Sequence, residues 1–164
     1  MINPVPHNEI SFVEDIVKQA ILHMLEMGID QWDELYPSRQ IFEDDINNGW
    51  LYGYYEGAEL CGCIVLNNVQ SPEYADITWK RPDANPLVIH RMCVAPSWQG
   101  KGIAKQLLSF AESFASANNH SSIRLDAFIH NPLATRLYIR NDYEKRGQVR
   151  FRKGEFYCFE KIIC

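Results

Sequence analysis

The stretch from residue 87 to residue 117 constrains this chain more than any other. Leu87-Val88-Ile89-His90-Arg91-Met92-Cys93-Val94 is a mostly apolar run fenced by Pro86 and Pro96. A run that is apolar on both faces belongs in the middle of a sheet. It leads through Ser97-Trp98-Gln99-Gly100-Lys101-Gly102 into an amphipathic helix over 101–117, with Ile103, Leu107, Phe110, Ala111 and Phe114 on one face. A central strand feeding a helix in this way predicts an α/β fold. Two glycines at the junction leave backbone N–H groups uncovered and let a ligand come close. The helix N-terminus adds partial positive charge and Lys101 a full one, which makes an anion site suited to phosphate or pyrophosphate. The plainer alternative is that the glycines only permit a tight turn.

The rest of the chain is read around that unit. Phe12, Val13, Ile16, Val17, Ala20 and Met24 recur at helical spacing, with Gly28 as a stop. Ser38 can cap a second helix through about residue 48, with Ile41, Phe42 and Ile46 as its apolar face. Residues 50–55 and 60–67 read as strands joined by Glu56-Gly57. Residues 68–86 read as a connection, with a short edge strand over 74–79. Downstream, 123–129 alternates as a strand. Asn131-Pro132 starts a helix that places Leu133, Leu137 and Tyr138 on one side. Residues 155–163 close the chain as a strand. A strand ahead of the first helix is either very short, around residues 2–5, or absent.

The junction does not fit two common phosphate loops. A P-loop needs Lys followed by Ser or Thr, and here Lys101 precedes Gly102. A dinucleotide fingerprint starting at Gly100 needs Gly or Ala at position 105, which is Lys105. Gln99-Gly100-Lys101-Gly102-Ile103-Ala104 does resemble the acyl-CoA loop of the GCN5-related N-acetyltransferases, Gln/Arg-x-x-Gly-x-Gly/Ala. Asn131-x-x-Ala134-x-x-Leu137-Tyr138 is similar to a second motif of that family, about thirty residues on. Where the family has a Gly-Phe pair after its tyrosine, this chain has Asp142-Tyr143, and Asp tolerates a left-handed backbone better than most residues.

The resemblance implies a single domain over 1–164 with the family's fold, a mixed central sheet flanked by helices. Residues 1–86 would form the acceptor side, 87–143 the acetyl-CoA core, and 144–164 the C-terminal strands. It implies that backbone N–H groups at Met92, Cys93 and Val94 hold the pantetheine arm of acetyl-CoA, and that Gln99, Gly100, Lys101, Gly102, Ile103 and Ala104 hold its pyrophosphate. Asn131 would touch the cofactor arm, cap the helix, or do both. Tyr138 would give a proton to the departing thiolate, although the motif position also suits a core tyrosine. No metal is implied, and His120 and His130 show no ligand spacing. For the base, His90, Asp126 and ordered water stay open. His90 is placed by alternation on the face of Met92 and Val94, and Asp126 could equally pair with Arg91 or Arg124. Cys93 as a covalent acyl carrier lacks an activating His–Asp arrangement, so a buried thiol is expected.

Charge sharpens the acceptor. Residues 1–86 carry 15 acids and four bases, a net of −11, while residues 87–164 carry six acids and twelve bases, a net of +6. An acidic chain without a dense Lys/Arg run is a poor nucleic-acid binder. The acidic half holds Trp32, Tyr36, Trp50, Tyr52, Tyr54 and Trp79, and aromatics beside carboxylates suit a cationic amine; packing of the helices on the sheet is the competing use. The expectation is therefore N-acetyl transfer from acetyl-CoA to a small-molecule or protein amine, the alternative being a non-catalytic acyl-CoA sensor or interaction module. No apolar stretch approaches membrane-span length. Five cysteines without an evident signal segment suggest a cytoplasmic protein. Self-association into a homodimer is left open.

Overall fold

The apolar run after Pro86 forms the fourth strand of a mixed sheet. The structure, a computed structural model, describes residues 1–82 and 85–163. Asp83, counted among the acids, Ala84 and Cys164, one of the five cysteines, lie outside the described residues. In chain order the elements are β1 (Ile2–Pro4), α1 (Ile10–Glu26), α2 (Arg39–Asn47), β2 (Leu51–Glu56), β3 (Glu59–Asn67), β4 (Pro86–Val94), α3 (Ile103–Ala117), β5 (Ser122–Phe128), α4 (Pro132–Arg140), β6 (Glu144–Phe151) and β7 (Gly154–Ile162). The sheet order is β1-β2-β3-β4-β5-β7-β6. β4 and β5 run parallel across the α3 connection. The pairs β1/β2, β2/β3, β5/β7 and β6/β7 are antiparallel. This is the expected α/β architecture, including the short first strand.

Two groups of residues are each compact. In the first, residues 1–66 and 90–110, the stripe Val13, Ile16, Val17 and Ala20 of α1 joins Phe42 of α2 over Leu51, Cys63, Val65 and Cys93. Phe12, expected on that stripe, is 52% exposed; at 100° per residue it sits roughly a quarter-turn off the stripe's centre. Ser38 caps α2 as expected, its Oγ accepting from the Ile41 N–H at 3.4 Å. Trp32 belongs to this core and Tyr54 is buried too, so packing accounts for these two of the aromatics expected to face an acceptor.

In the second group, residues 67–89 and 111–164, β5, β7 and β6 form an antiparallel ladder. Arg124 and Glu160 make a buried ion pair at 3.5 Å. Arg124 also donates to Gln70 Oε1 at 2.6 Å and the Arg81 carbonyl at 2.8 Å. Glu160 accepts from the Lys80 N–H at 2.7 Å, and Trp79 lies against the Arg124 guanidinium at 4.2 Å. These bonds tie residues 70–81 onto β5 and β7. The edge strand expected over 74–79 is therefore not formed. Pro72–Asp76 is a 3-10 turn, and Trp79 Nε1 takes the Tyr74 carbonyl at 3.0 Å that a ladder would have used.

Candidate active site

Gly100 and Gly102 adopt φ of +75° and +80°, a region L side chains resist. Nothing lies within 4 Å of the Cβ either would carry, so this face of the junction is open to a ligand. α3 begins at Ile103, two residues later than the amphipathic pattern suggests, with the Gln106 N–H closing its first turn on the Gly102 carbonyl at 3.1 Å. The N–H groups of Ile103, Ala104 and Lys105 then precede any intrahelical acceptor. Gln99 folds back, Nε2 donating to the Val94 carbonyl at 3.1 Å. Lys101 lies 4.2 Å over the Trp98 ring, and Trp98 Nε1 donates to Glu59 at 2.8 Å. The sequence-predicted anion residues thus gather on one junction.

β3 approaches the end of β4 closely. A Cβ on Gly62 of β3 would meet the Cys93 carbonyl at 2.9 Å, so a glycine is required beside the end of β4. The parallel ladder with β5 runs over Pro86–Val88. Arg91 breaks the strand geometry at φ +47°. That interruption voids the simple alternation used to put His90 on the face of Met92 and Val94. His90 is half-buried and has a contact of its own. Arg91 pairs with Asp45 and also donates to the Tyr36 hydroxyl at 3.1 Å. Cys93 is buried, its thiol pushed well up by desolvation, as a structural thiol should be.

The second motif folds as its residues suggest. Asn131 caps α4, Oδ1 accepting from the Ala134 N–H at 3.2 Å, and has a further contact. Leu133, expected on the inner face, is 55% exposed in the first turn. Tyr138 is buried, its ring against Phe159 at 5.7 Å and Tyr143 at 6.0 Å. Its hydroxyl makes no hydrogen bond among the described residues, and burial followed by the nearby Asp126 charge pushes its pKa up. Asp142 takes φ +66°, the left-handed turn expected of it.

Asp126 pairs with neither arginine. Arg91 holds Asp45 and Arg124 holds Glu160, while Asp126 Oδ2 accepts from the Tyr74 hydroxyl at 2.7 Å. Burial pushes the Asp126 carboxyl up to about 6, against the opposing Tyr74 hydrogen bond, with Glu73 adding to the rise. The Tyr74 contact spans 52 residues of sequence and had no local signal. Among the described residues no three His, Cys, Asp or Glu side chains are grouped to hold a metal ion, and no helix is long and apolar enough to cross a membrane.

Three comparisons bear on this arrangement. The sequence model of the acetyltransferase (GNAT) family matches residues 18–143. The chain is 22% identical over 164 residues to the uncharacterized N-acetyltransferase YesJ of Bacillus subtilis (strain 168), covering 98% of this chain and 88% of that protein. Its fold is similar to a GNAT-family acetyltransferase from Streptococcus agalactiae 2603, with TM-score 0.88, 23% identity, and coverage of 99% of this chain and 94% of the other. It is also similar to the PaiA N-acetyltransferase of Thermoplasma acidophilum in complex with coenzyme A, with TM-score 0.77, 17% identity, and coverage of 99% and 98%.

Proposed function

The chain belongs to the acetyltransferase (GNAT) family, and from that premise we propose that it moves an acetyl group from acetyl-CoA to a primary amine of a cationic acceptor. The observation that carries this is the junction itself: two glycines at positive φ, open space over both, and the N-terminus of a fifteen-residue helix. Oriented N–H groups at such a terminus bind pyrophosphate oxygens with little reorganisation. In this reading Gln99, Gly100, Lys101, Gly102, Ile103 and Ala104 hold the pyrophosphate. Lys101 reaches it by leaving the Trp98 face. Backbone groups of Met92, Cys93 and Val94 hold the pantetheine arm and polarise the thioester carbonyl. Asn131 contacts the cofactor arm, and Tyr138 gives its proton to the departing thiolate.

The acidity of residues 1–86 supports a cationic acceptor. We place the protein in the cytoplasm, with acetyl-CoA and an amine as its partners. Thermal unfolding with acetyl-CoA, coenzyme A, ATP and NAD tests the cofactor reading. A rise in Tm with the two coenzyme A species alone is expected, of the size that ligand-linked stabilisation gives, about 2.7 kcal/mol at a hundredfold excess over Kd. Thiol release across a panel of primary amines then tests transfer; equal stabilisation by ATP, or no release with any amine, overturns it.

A further inference from the structure

Lys101 carries the full positive charge of the glycine junction, yet its ammonium is turned to a neighbour. Nζ lies 4.2 Å over the Trp98 ring. The ring is itself held: Trp98 Nε1 donates to Glu59 Oε1 at 2.8 Å, a bond that spans 39 residues and joins the start of β3 to the junction. The indole has little freedom to follow a departing cation. It stands on the 3-10 turn Pro96–Trp98. There the Trp98 N–H donates to the Ala95 carbonyl and the Ala95 N–H to the Cys61 carbonyl, both at 2.8 Å. The half-buried ring also packs against the core of its own compact group. Lys101, by contrast, is exposed and sits between two glycines at positive φ. The lysine is the moving part and the indole the fixed one. Carboxylates of the β2–β3 hairpin share these surroundings. Burial pushes the Cys61 thiol up, a backbone hydrogen bond at Glu56 opposes the rise, and the charges of Glu59, Glu56 and Lys101 all reach it.

Resting on the acetyltransferase reading, we propose that Trp98 and Glu59 are positioning residues that hold Lys101 off the junction in the free protein, in a latch that the pyrophosphate of coenzyme A opens. An indole that gives its N–H to a carboxylate carries more negative density on its face. Glu59 therefore tightens the hold on Lys101 through the ring as well as by direct attraction. A pyrophosphate seated on the N–H groups of Gly100–Ala104 draws the same ammonium with full charges, against which a neutral ring face is the weaker partner. Opening the latch forfeits the cation–π contact and leaves Glu59 near the phosphates, so the latch works against binding. It acts alike on acetyl-CoA and on the coenzyme A product, because both carry the same pyrophosphate. Its effect falls on retention and release of the cofactor and leaves the transfer step alone. A surface pair that only stabilised the loop predicts the opposite sign, since breaking it would loosen the junction and weaken binding.

Titration calorimetry with coenzyme A reads the latch in wild type, Glu59→Gln, Trp98→Phe and Lys101→Met. Glu59→Gln keeps an acceptor for the indole N–H and removes the charge, while Trp98→Phe keeps a ring and removes the N–H. Both should lower Kd by about two- to fivefold, the scale of an exposed cation–π contact. Stopped-flow displacement should show dissociation slowed by a similar factor. Lys101→Met should raise Kd. In the Lys101→Met background, adding Glu59→Gln should leave Kd within about 1.5-fold, because the latch has nothing left to hold. An unchanged or raised Kd in Glu59→Gln overturns the inference. So does a gain as large in the Lys101→Met background as in wild type, which would make Glu59 a distant charge only. If Trp98→Phe misfolds, the cycle of Glu59 and Lys101 variants still decides. Wild-type protein that binds no coenzyme A overturns the acetyltransferase reading and this inference together; coenzyme A binding that is indifferent to Glu59 overturns the inference alone.

Discussion

Arg91 holds Asp45 in a two-point grip, Nε to Oδ2 at 2.9 Å and Nη2 to Oδ1 at 2.7 Å, with Asp45 only 2% exposed. The bond joins α2 to the one residue of β4 whose φ is positive, so the pair pins the irregular point of the strand. Removing one member strands the other's charge, which costs about 3–5 kcal/mol. Asp45→Ala should therefore lower Tm by roughly 10 °C on the scale of a domain this size. Calorimetry checks it, and the double variant that combines Asp45→Leu with Arg91→Met should recover most of the loss.

Gly102→Ala separates strain from steric blockage. Its Cβ would enter open space, so the folded protein bears only the left-handed backbone cost, about 1–2 kcal/mol. Relaxing that strain moves the N–H groups at the start of α3. Acetyl-CoA affinity, read by titration calorimetry, should fall about tenfold for each 1.4 kcal/mol of lost alignment.

Tyr138→Phe deletes a hydroxyl that no described residue bonds, so the ring packing on Phe159 and Tyr143 survives. Stability should change by less than about 1 kcal/mol. Thiol release should drop about 100-fold with acetyl-CoA Kd unchanged, in line with the loss of a general acid.

Asp126 should also lower stability in a defined pH window. Its carboxyl is near 6 in the fold against about 3.9 in an unfolded chain. The native state then binds more protons between those values, so this group's contribution to stability falls as pH rises through the window. Its cost is full above the folded value and vanishes below the unfolded one. Asp126→Asn should be more stable than wild type by about 1–2 kcal/mol at pH 7.5 and match it near pH 4, by denaturant titration at both values.

What was legible in the sequence is what short-range chemistry writes. Pro86 and Pro96 around an apolar run, Gly100 and Gly102 before α3, Ser38 and Asn131 as caps and Asp142 at a left-handed turn all act within a few residues. β6 had no comparable signal of its own, because Glu144, Lys145, Arg146 and Arg150 give it a polar surface and its order comes from pairing with β7. Residues 74–79 looked strand-like from composition, but the long-range bonds of Arg124 and Glu160 decide their path. Asp126 was visible as a candidate, while its partner Tyr74 was not.

The cysteines give the sheet a set of internal clocks. Cys61 and Cys63 lie on β3, Cys93 on β4 and Cys158 on β7, all buried with desolvated thiols pushed up. A thiolate-seeking reagent reaches each only when its strand opens, so labelling rate reads local opening free energy strand by strand. Mass spectrometry of pulse-labelled protein would then time the exposure of Cys93, beside the junction, against that of Cys158, beside Asp126. Ligand added during the pulse would report which strand it quiets.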